Sequence, residues 1–169
     1  MDVFDAVRTV RAIRAFRDTP VPDATVQKIV EAARLTASSI NKQPWHFIVV
    51  QDRETLRRLG ELVKTGPYIA QAPLAIAVAY EQDSPFGVSD ASRAIQDMVL
   101  VAWADGVGSN WAGFGGLEEA GNLLGIPAQL VLLAVVPFGY PAQALSRGKK
   151  NRKPVGEVVS RERFGQPFA

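Results

Sequence analysis

No cysteine occurs among the 169 residues. That absence excludes a disulfide framework, a thiolate nucleophile and a zinc or iron–sulfur site held by cysteine, and it makes a cytoplasmic location the expectation. Histidine is scarce too. With His46 alone, multi-histidine metal centres and the two-histidine zinc-protease helix are excluded, and a Ser-His-Asp triad has a single imidazole to draw on. The N-terminus, MDVFDAVRTVRAIR, alternates charge with apolar residues and lacks the uninterrupted apolar stretch of a signal peptide or membrane span. Internal repeats and low-complexity segments do not appear.

Net charge is small, at +2, but it sums unlike parts. Residues 1 to 17 hold four Arg and two Asp, a balance of +2; residues 18 to 145 hold eight basic and thirteen acidic groups, a balance of −5. Residues 146 to 163 hold seven basic and two acidic groups, a balance of +5. Basic ends around an acidic middle suggest an anionic partner, which this asymmetry alone leaves open between nucleic acid, a phosphorylated small molecule and the acidic middle itself.

What is present in quantity is apolar: 47% of the residues are hydrophobic, enough for the core of one domain of ordinary size. Helical spacing of apolar residues predicts helices over residues 2 to 10, 23 to 36, 53 to 64, 89 to 107 and 117 to 124, the second capped by Asp23. Residues 46 to 51, 74 to 80 and 129 to 136 read as strands. The continuous run LAIAVAY at 74 to 80 demands a sheet covered on both faces. In the helix from Ser89 to Val107 the apolar positions spread over more than one face, as in a helix at a domain centre or a subunit interface. Residues 142 to 169 are polar, basic and rich in Gly and Pro, and read as an extended arm on a single domain spanning 1 to 169. Helices alternating with strands make the class α/β or α+β.

Four stretches carry candidate chemistry, each with an ordinary structural alternative. Arg8, Arg11, Arg14 and Arg17 recur every three residues, which on a helix is either a solvated face or a row of guanidinium forks for a phosphate or an anionic ring edge. Ala37-Ser38-Ser39-Ile40-Asn41-Lys42-Gln43-Pro44-Trp45 offers hydroxyls and amides for a polar aromatic ligand, or is a helix-to-strand turn in which Pro44 stiffens the approach and Trp45 anchors it in the core. Gly106 to Gly116 holds five glycines in eleven residues, so its backbone can approach a planar ligand, although no G-x-G-x-x-G run is present. Arg147 to Lys153 is a basic heptad without interleaved aromatics, a poor match to a base-stacking surface. Gln143 stands where a P-loop ending at Gly148-Lys149 needs glycine.

Taken together, these stretches fit one pattern. VRTVRAIRAFRDTPVPDATVQKIVEAARLTASSINKQPWHFIVV resembles the N-terminal signature of the nitroreductase family of FMN-dependent oxidoreductases. In that family an R-R/H-S-V/I/T-R/K-x-F segment precedes V-P-x-x-x-L/V and S-x-x-N-x-Q-P-W-x-F. The G-x-G-S-x-W-x-G, G-I-P, G-Y-P and K-x-R elements follow in the family's order. The resemblance implies an α+β fold, a central mostly antiparallel sheet flanked by helices, in an intertwined homodimer with FMN in two interfacial clefts. The helix from Ser89 to Val107 would then be a dimer-core element.

By the same resemblance, Arg11 is expected at the phosphate and Arg14 at the N1 and O2 edge of the ring, where it stabilises the charge of the reduced flavin. Ala37, Ser38, Ser39 and Asn41 are expected to reach the flavin of the partner subunit. Ala112 and Gly113 are expected over the N5 edge, and Lys150 and Arg152 at the phosphate. The implied reaction passes hydride from NADH or NADPH through flavin N5 to a small acceptor such as a nitroaromatic or quinone, in alternating steps with no protein nucleophile and no metal. A flavin-fragmenting or dehalogenating relative, and a nucleic-acid or polyanion module using the basic ends, are the alternatives.

Two departures stand out. Val10 replaces a family Arg and Ala12 replaces a phosphate-binding Ser; a hydroxyl lost to an anion costs about 1.5–3 kcal/mol, so weaker FMN retention is expected. Residues 66 to 90 lack the Asn and Lys pair with which some larger members reach the pyrimidine ring, and a chain this short is expected to carry little cover over the substrate.

Overall fold

The structure is a computed structural model that describes residues 1–143 and 150–168. Its centre is a four-stranded antiparallel sheet in the order β1-β2-β4-β3, built from β1 (Trp45–Val50), β2 (Leu74–Glu81), β3 (Gly108–Ser109) and β4 (Leu130–Gly139). The α+β class and the antiparallel sheet are as the resemblance implied.

Alternation along the strands assigns each face its own core. From β2, Leu74, Ile76 and Val78 point with Ala134, Val136 and Phe138 of β4 into a layer formed by α2 (Asp23–Leu35) and α4 (Gly87–Ala104). Ala75 and Ala77, with Leu132 and Val135, face α3 (Arg53–Leu62), the tight turn Pro67–Gln71 and α5 (Glu118–Leu123). The two strands therefore have no wet side, as the run LAIAVAY required. A bulge between Val78 and Ala79 shifts the register against β4 near the end of the strand.

Element ends differ from the sequence reading in ways that have local causes. α1 (Val3–Thr9) stops before Val10, whose ψ of 138° turns the chain into an extended run. Its start is capped by Asp2, which accepts from the Asp5 N–H at 2.7 Å. α2 is preceded by Pro22, not capped by Asp23, which lies inside the first turn and complements the helix dipole there. Trp45 packs against the core only half-buried. β3 and the short helix α6 (Val155–Val158) are too brief for periodicity to reveal.

Of the expected arm, residues 144 to 149 and residue 169 lie outside the described residues, which takes in Arg147, Gly148 and Lys149 of the basic heptad. Among the described residues no helix is long and apolar enough to cross a membrane.

Ile76 is fully buried in the middle of the sheet, whereas Val49 lies partly exposed on β1. Ile76→Ala is expected to cost about 2–5 kcal/mol of stability and Val49→Ala no more than about 1 kcal/mol, measured by denaturant unfolding of the two variants side by side.

Candidate functional site

The chain beyond α1 is held extended by partners far away in sequence. Ile13 donates its N–H to the Ser109 carbonyl at 2.9 Å, Ala12 pairs with Ser109 in a parallel bridge, and Arg17 N–H donates to the Tyr140 carbonyl at 2.8 Å. Only Arg8 of the four periodic arginines is therefore helical. The other three leave an extended strand-like segment, so the helical face expected from their spacing does not form.

Arg11, half-buried, borders a cavity of about 1030 Å³ together with Ala12, Ser109, Asn110, Lys150 and Arg152. Its apolar walls come from α1 and α4, through Phe4, Val7, Ile95, Val99 and Trp103, and from Trp111. A volume near 1,000 Å³, mainly apolar with a few convergent polar groups, suits an organic ligand the size of a nucleotide cofactor. α1 is fixed to α4 at the wall: Trp103 Nε1 donates to Thr9 Oγ1 at 2.9 Å, and that hydroxyl donates to the Asp5 carbonyl at 2.6 Å.

Electrostatically the cavity has one strongly positive corner. Lys150 donates to the Val7 carbonyl at 2.8 Å. Burial first, and then the like charges of Arg152 and Arg11, push its ammonium below the usual lysine pKa. Three cations from opposite ends of the chain thus crowd one place, an arrangement that a bound anion would relieve. Two guanidinium forks and an ammonium on one cavity are a donor set for a phosphate, so the residues present fit the phosphate end of FMN.

A second group of expected residues is assembled by the turn that follows α3. Gly113 donates its N–H to Thr65 Oγ1 at 2.8 Å, its carbonyl accepts from Trp111 Nε1 at 2.8 Å, and Asn110 donates to the Tyr68 hydroxyl. Between these, Gly66 lets Ala112 approach; a Cβ at position 66 would lie 2.5 Å from that of Ala112. Gly113 itself has φ +96°, and a Cβ there would meet Leu117 at 2.7 Å, so glycine is required. Ala112 and Gly113 are buried and follow directly on Trp111 at the cavity wall. Thr65, Gly66 and Tyr68 were not foreseen as site residues, and Ser109 and Asn110 only as part of the glycine-rich stretch from Gly106 to Gly116. A strand-free stretch such as Lys64-Thr65-Gly66-Pro67-Tyr68 shows its role only once its partners some 45 residues away are known.

The third group stands apart. Ala37 and Asn41 are exposed and Ser38 and Ser39 half-buried, and none of them borders the cavity. Ser39 donates its N–H and hydroxyl to Asp90 at 3.0 and 3.2 Å, and Thr36 donates its hydroxyl to Asp97 at 2.6 Å. Residues along a helix turn by about 100° each, which places Asp90, Arg93 and Asp97 on one side of α4, about 140° from the centre of the side bearing Ile95, Gln96, Val99 and Trp103. The stretch from Ala37 to Asn41 and the cavity are thus on opposed sides of one helix. Arg14 is exposed and also lies outside the cavity lining.

The profile of the Nitroreductase family matches residues 7–83 and 64–140, which takes in all three groups except Lys150 and Arg152. The chain belongs to the nitroreductase family. It is 38% identical over 151 residues, 85% of this chain and 79% of the other, to a candidate NADH dehydrogenase/NAD(P)H nitroreductase of Methanothermobacter thermautotrophicus. An FMN reductase [NAD(P)H] of Bacillus subtilis is 28% identical over 187 residues, covering 96% of this chain and 74% of that one. Among solved structures, an FMN-dependent nitroreductase of Clostridium difficile superposes with a TM-score of 0.88 at 25% identity, over 95% of this chain and 99% of that one.

Because its pKa is lowered in the free protein, Lys150 loses its proton at a lower pH than a solvated lysine, and a bound anion restores it. Affinity for sulfate, whose own charge is constant in this range, is expected to fall as pH rises through the lowered Lys150 value. In Lys150→Met that alkaline fall should disappear; calorimetric titration at stepped pH measures both.

Proposed function

We propose that this protein is an FMN-dependent NAD(P)H oxidoreductase that works as a homodimer and reduces a small acceptor such as a nitroaromatic or a quinone. The observation that carries the reading is the convergence of Arg11, Lys150 and Arg152 on one apolar-walled cavity, in a chain of this family. When bound, FMN supplies the hydride-accepting and electron-donating chemistry.

The chain's own residues bind and orient. Arg11, Lys150 and Arg152 would hold the phosphate by charge-assisted hydrogen bonds. Ala112 and Gly113, in a segment locked by Thr65 and Tyr68, carry one methyl group between them, which suits close backbone contact with a flat ring. Arg14 is proposed as the cation for the N1 and O2 edge, where a positive charge stabilises the reduced ring. No side chain is needed as nucleophile or general base.

Two observations support a second copy. Val3 and Phe4 on α1 are 77% and 73% exposed, and Val155 and Val158 on α6 are also open, apolar side chains that a second copy would cover. In addition, Ala37, Ser38, Ser39 and Asn41 lie on the wrong side of α4 for their own cavity, so they would serve the site of another chain. A polyanion-binding module has less support, because these basic groups gather in a cavity and do not spread over a face.

The purified protein is expected to be yellow or to take up added FMN, and to bleach anaerobically with NADH or NADPH. Replacing Arg11 and Arg152 together by Ala removes two charge-assisted contacts and should weaken FMN binding about a hundredfold or more with the circular dichroism unchanged. Colourless protein that refuses FMN yet binds RNA with steep salt dependence would overturn the proposal.

A further inference from the structure

Asp90 is a fully buried carboxylate in the first turn of α4. A charge there could serve the helix alone, as a cap or a complement to its dipole. It is used otherwise. α4 has no side-chain cap, and the Asp90 oxygens accept from Ser39 instead, one from the backbone N–H at 3.0 Å and the other from the hydroxyl at 3.2 Å, while Arg93 pairs with it from the next turn.

The segment held in this way is not one the backbone keeps unaided. Ile40, Asn41 and Gln43 have φ of 50°, 57° and 54°, a region sparsely populated by side-chain-bearing residues and least by β-branched ones such as Ile40. Ser38 closes the far end by accepting from the Gln43 N–H at 3.0 Å. Thr36, bonded to Asp97 two turns along α4, fixes the near end. A buried charge is tolerated only when it is fully paired, and every partner of Asp90 here belongs either to this segment or to the arginine that neutralises it.

We infer that Asp90 is a positioning residue whose buried carboxylate sets the shape of the segment from Ser38 to Asn41, with which one subunit completes the flavin site of the other. The inference rests on the dimeric FMN reading given above. Its consequence is directional: because the segment and the cavity lie on opposed sides of α4, loss of Asp90 harms the partner's flavin site and spares the site of its own chain.

Hybrid dimers read this directly. One chain carries Asp90→Asn, the other carries Arg11→Ala with Arg152→Ala, and differently tagged copies are co-expressed and purified through both tags. Bound FMN is counted per dimer from absorbance and flavin fluorescence. The Asp90→Asn homodimer is expected to bind FMN about tenfold to a hundredfold more weakly than wild type. Amide exchange in that homodimer is expected to speed up at residues 39 to 41 and stay unchanged along α4. The hybrid is expected to regain one tight site per dimer, since a sound segment there meets a sound phosphate corner. Asp90→Glu keeps the charge and moves it by one methylene; it is expected to behave like Asp90→Asn, and it serves in the same hybrid if the Asn variant does not fold. A hybrid with no tight site, or Asp90 homodimers that hold FMN as wild type does, would overturn the inference while leaving the flavin reading intact. Wild-type protein that takes up no FMN would overturn that reading and this inference with it.

Discussion

β2 and β4 are buried on both faces, and the helices on either side are placed by that requirement. Residues 74 to 79 of β2 are fully buried, alternating large side chains toward α2 and α4 with alanines toward α3 and α5. The small side chains on the second face allow the α3 layer to come close. They also bring the turn that follows α3 within reach of residues 110 to 113, where Gly66 gives way to Ala112. On the first face the larger side chains seat α4 across the sheet through Ala91, Ala94, Met98 and Ala102.

Seating α4 in this way divides its circumference into three. One side packs on the sheet, a second walls the cavity, and the third, bearing Asp90, Arg93 and Asp97, binds the connection between α2 and β1. Water reaches it mainly at Val88, Ser89, Arg93, Gln96 and Ala104, and packing on both the sheet and the cavity is why its apolar positions spread beyond a single stripe. The same division separates the segment from Ser38 to Asn41 from the cavity of its own chain.

Where the sequence carried a long period, the fold was legible. The helices over α2 and α4 and the strands β1, β2 and β4 lie within a few residues of their expected bounds, because burial on one or both faces writes its period into the residue order. Residues 11 to 17 illustrate the opposite case. Arginine every third residue favours a helical reading, but backbone bonds to Ser109 and Tyr140 hold the chain extended, and a partner roughly a hundred residues away leaves no local trace. The two-residue strand β3 and the tight turn at Ser39–Asn41 have too few positions to show any period. For the site, motif resemblance pointed to Arg11, Lys150 and Arg152 before the structure placed them around one cavity. The residues that hold the candidate binding segments in place, Thr65, Tyr68 and Asp90, belong to no motif, since what they do is defined wholly by what they touch.

The net charge of +2 takes on a physical meaning at the cavity. Spread over a surface, basic ends and an acidic middle would attract each other and solvent. Folded, the chain instead draws cations from both ends into one corner, where burial and mutual repulsion act together on Lys150. The neighbouring guanidinium groups disfavour the charged form of Lys150. An anion bound there would favour that charged form, and a ligand bound only by the folded state adds its binding energy to stability. The cavity takes Arg11 from one end of the sequence and Lys150 and Arg152 from the other, so neither end forms this corner without its opposite.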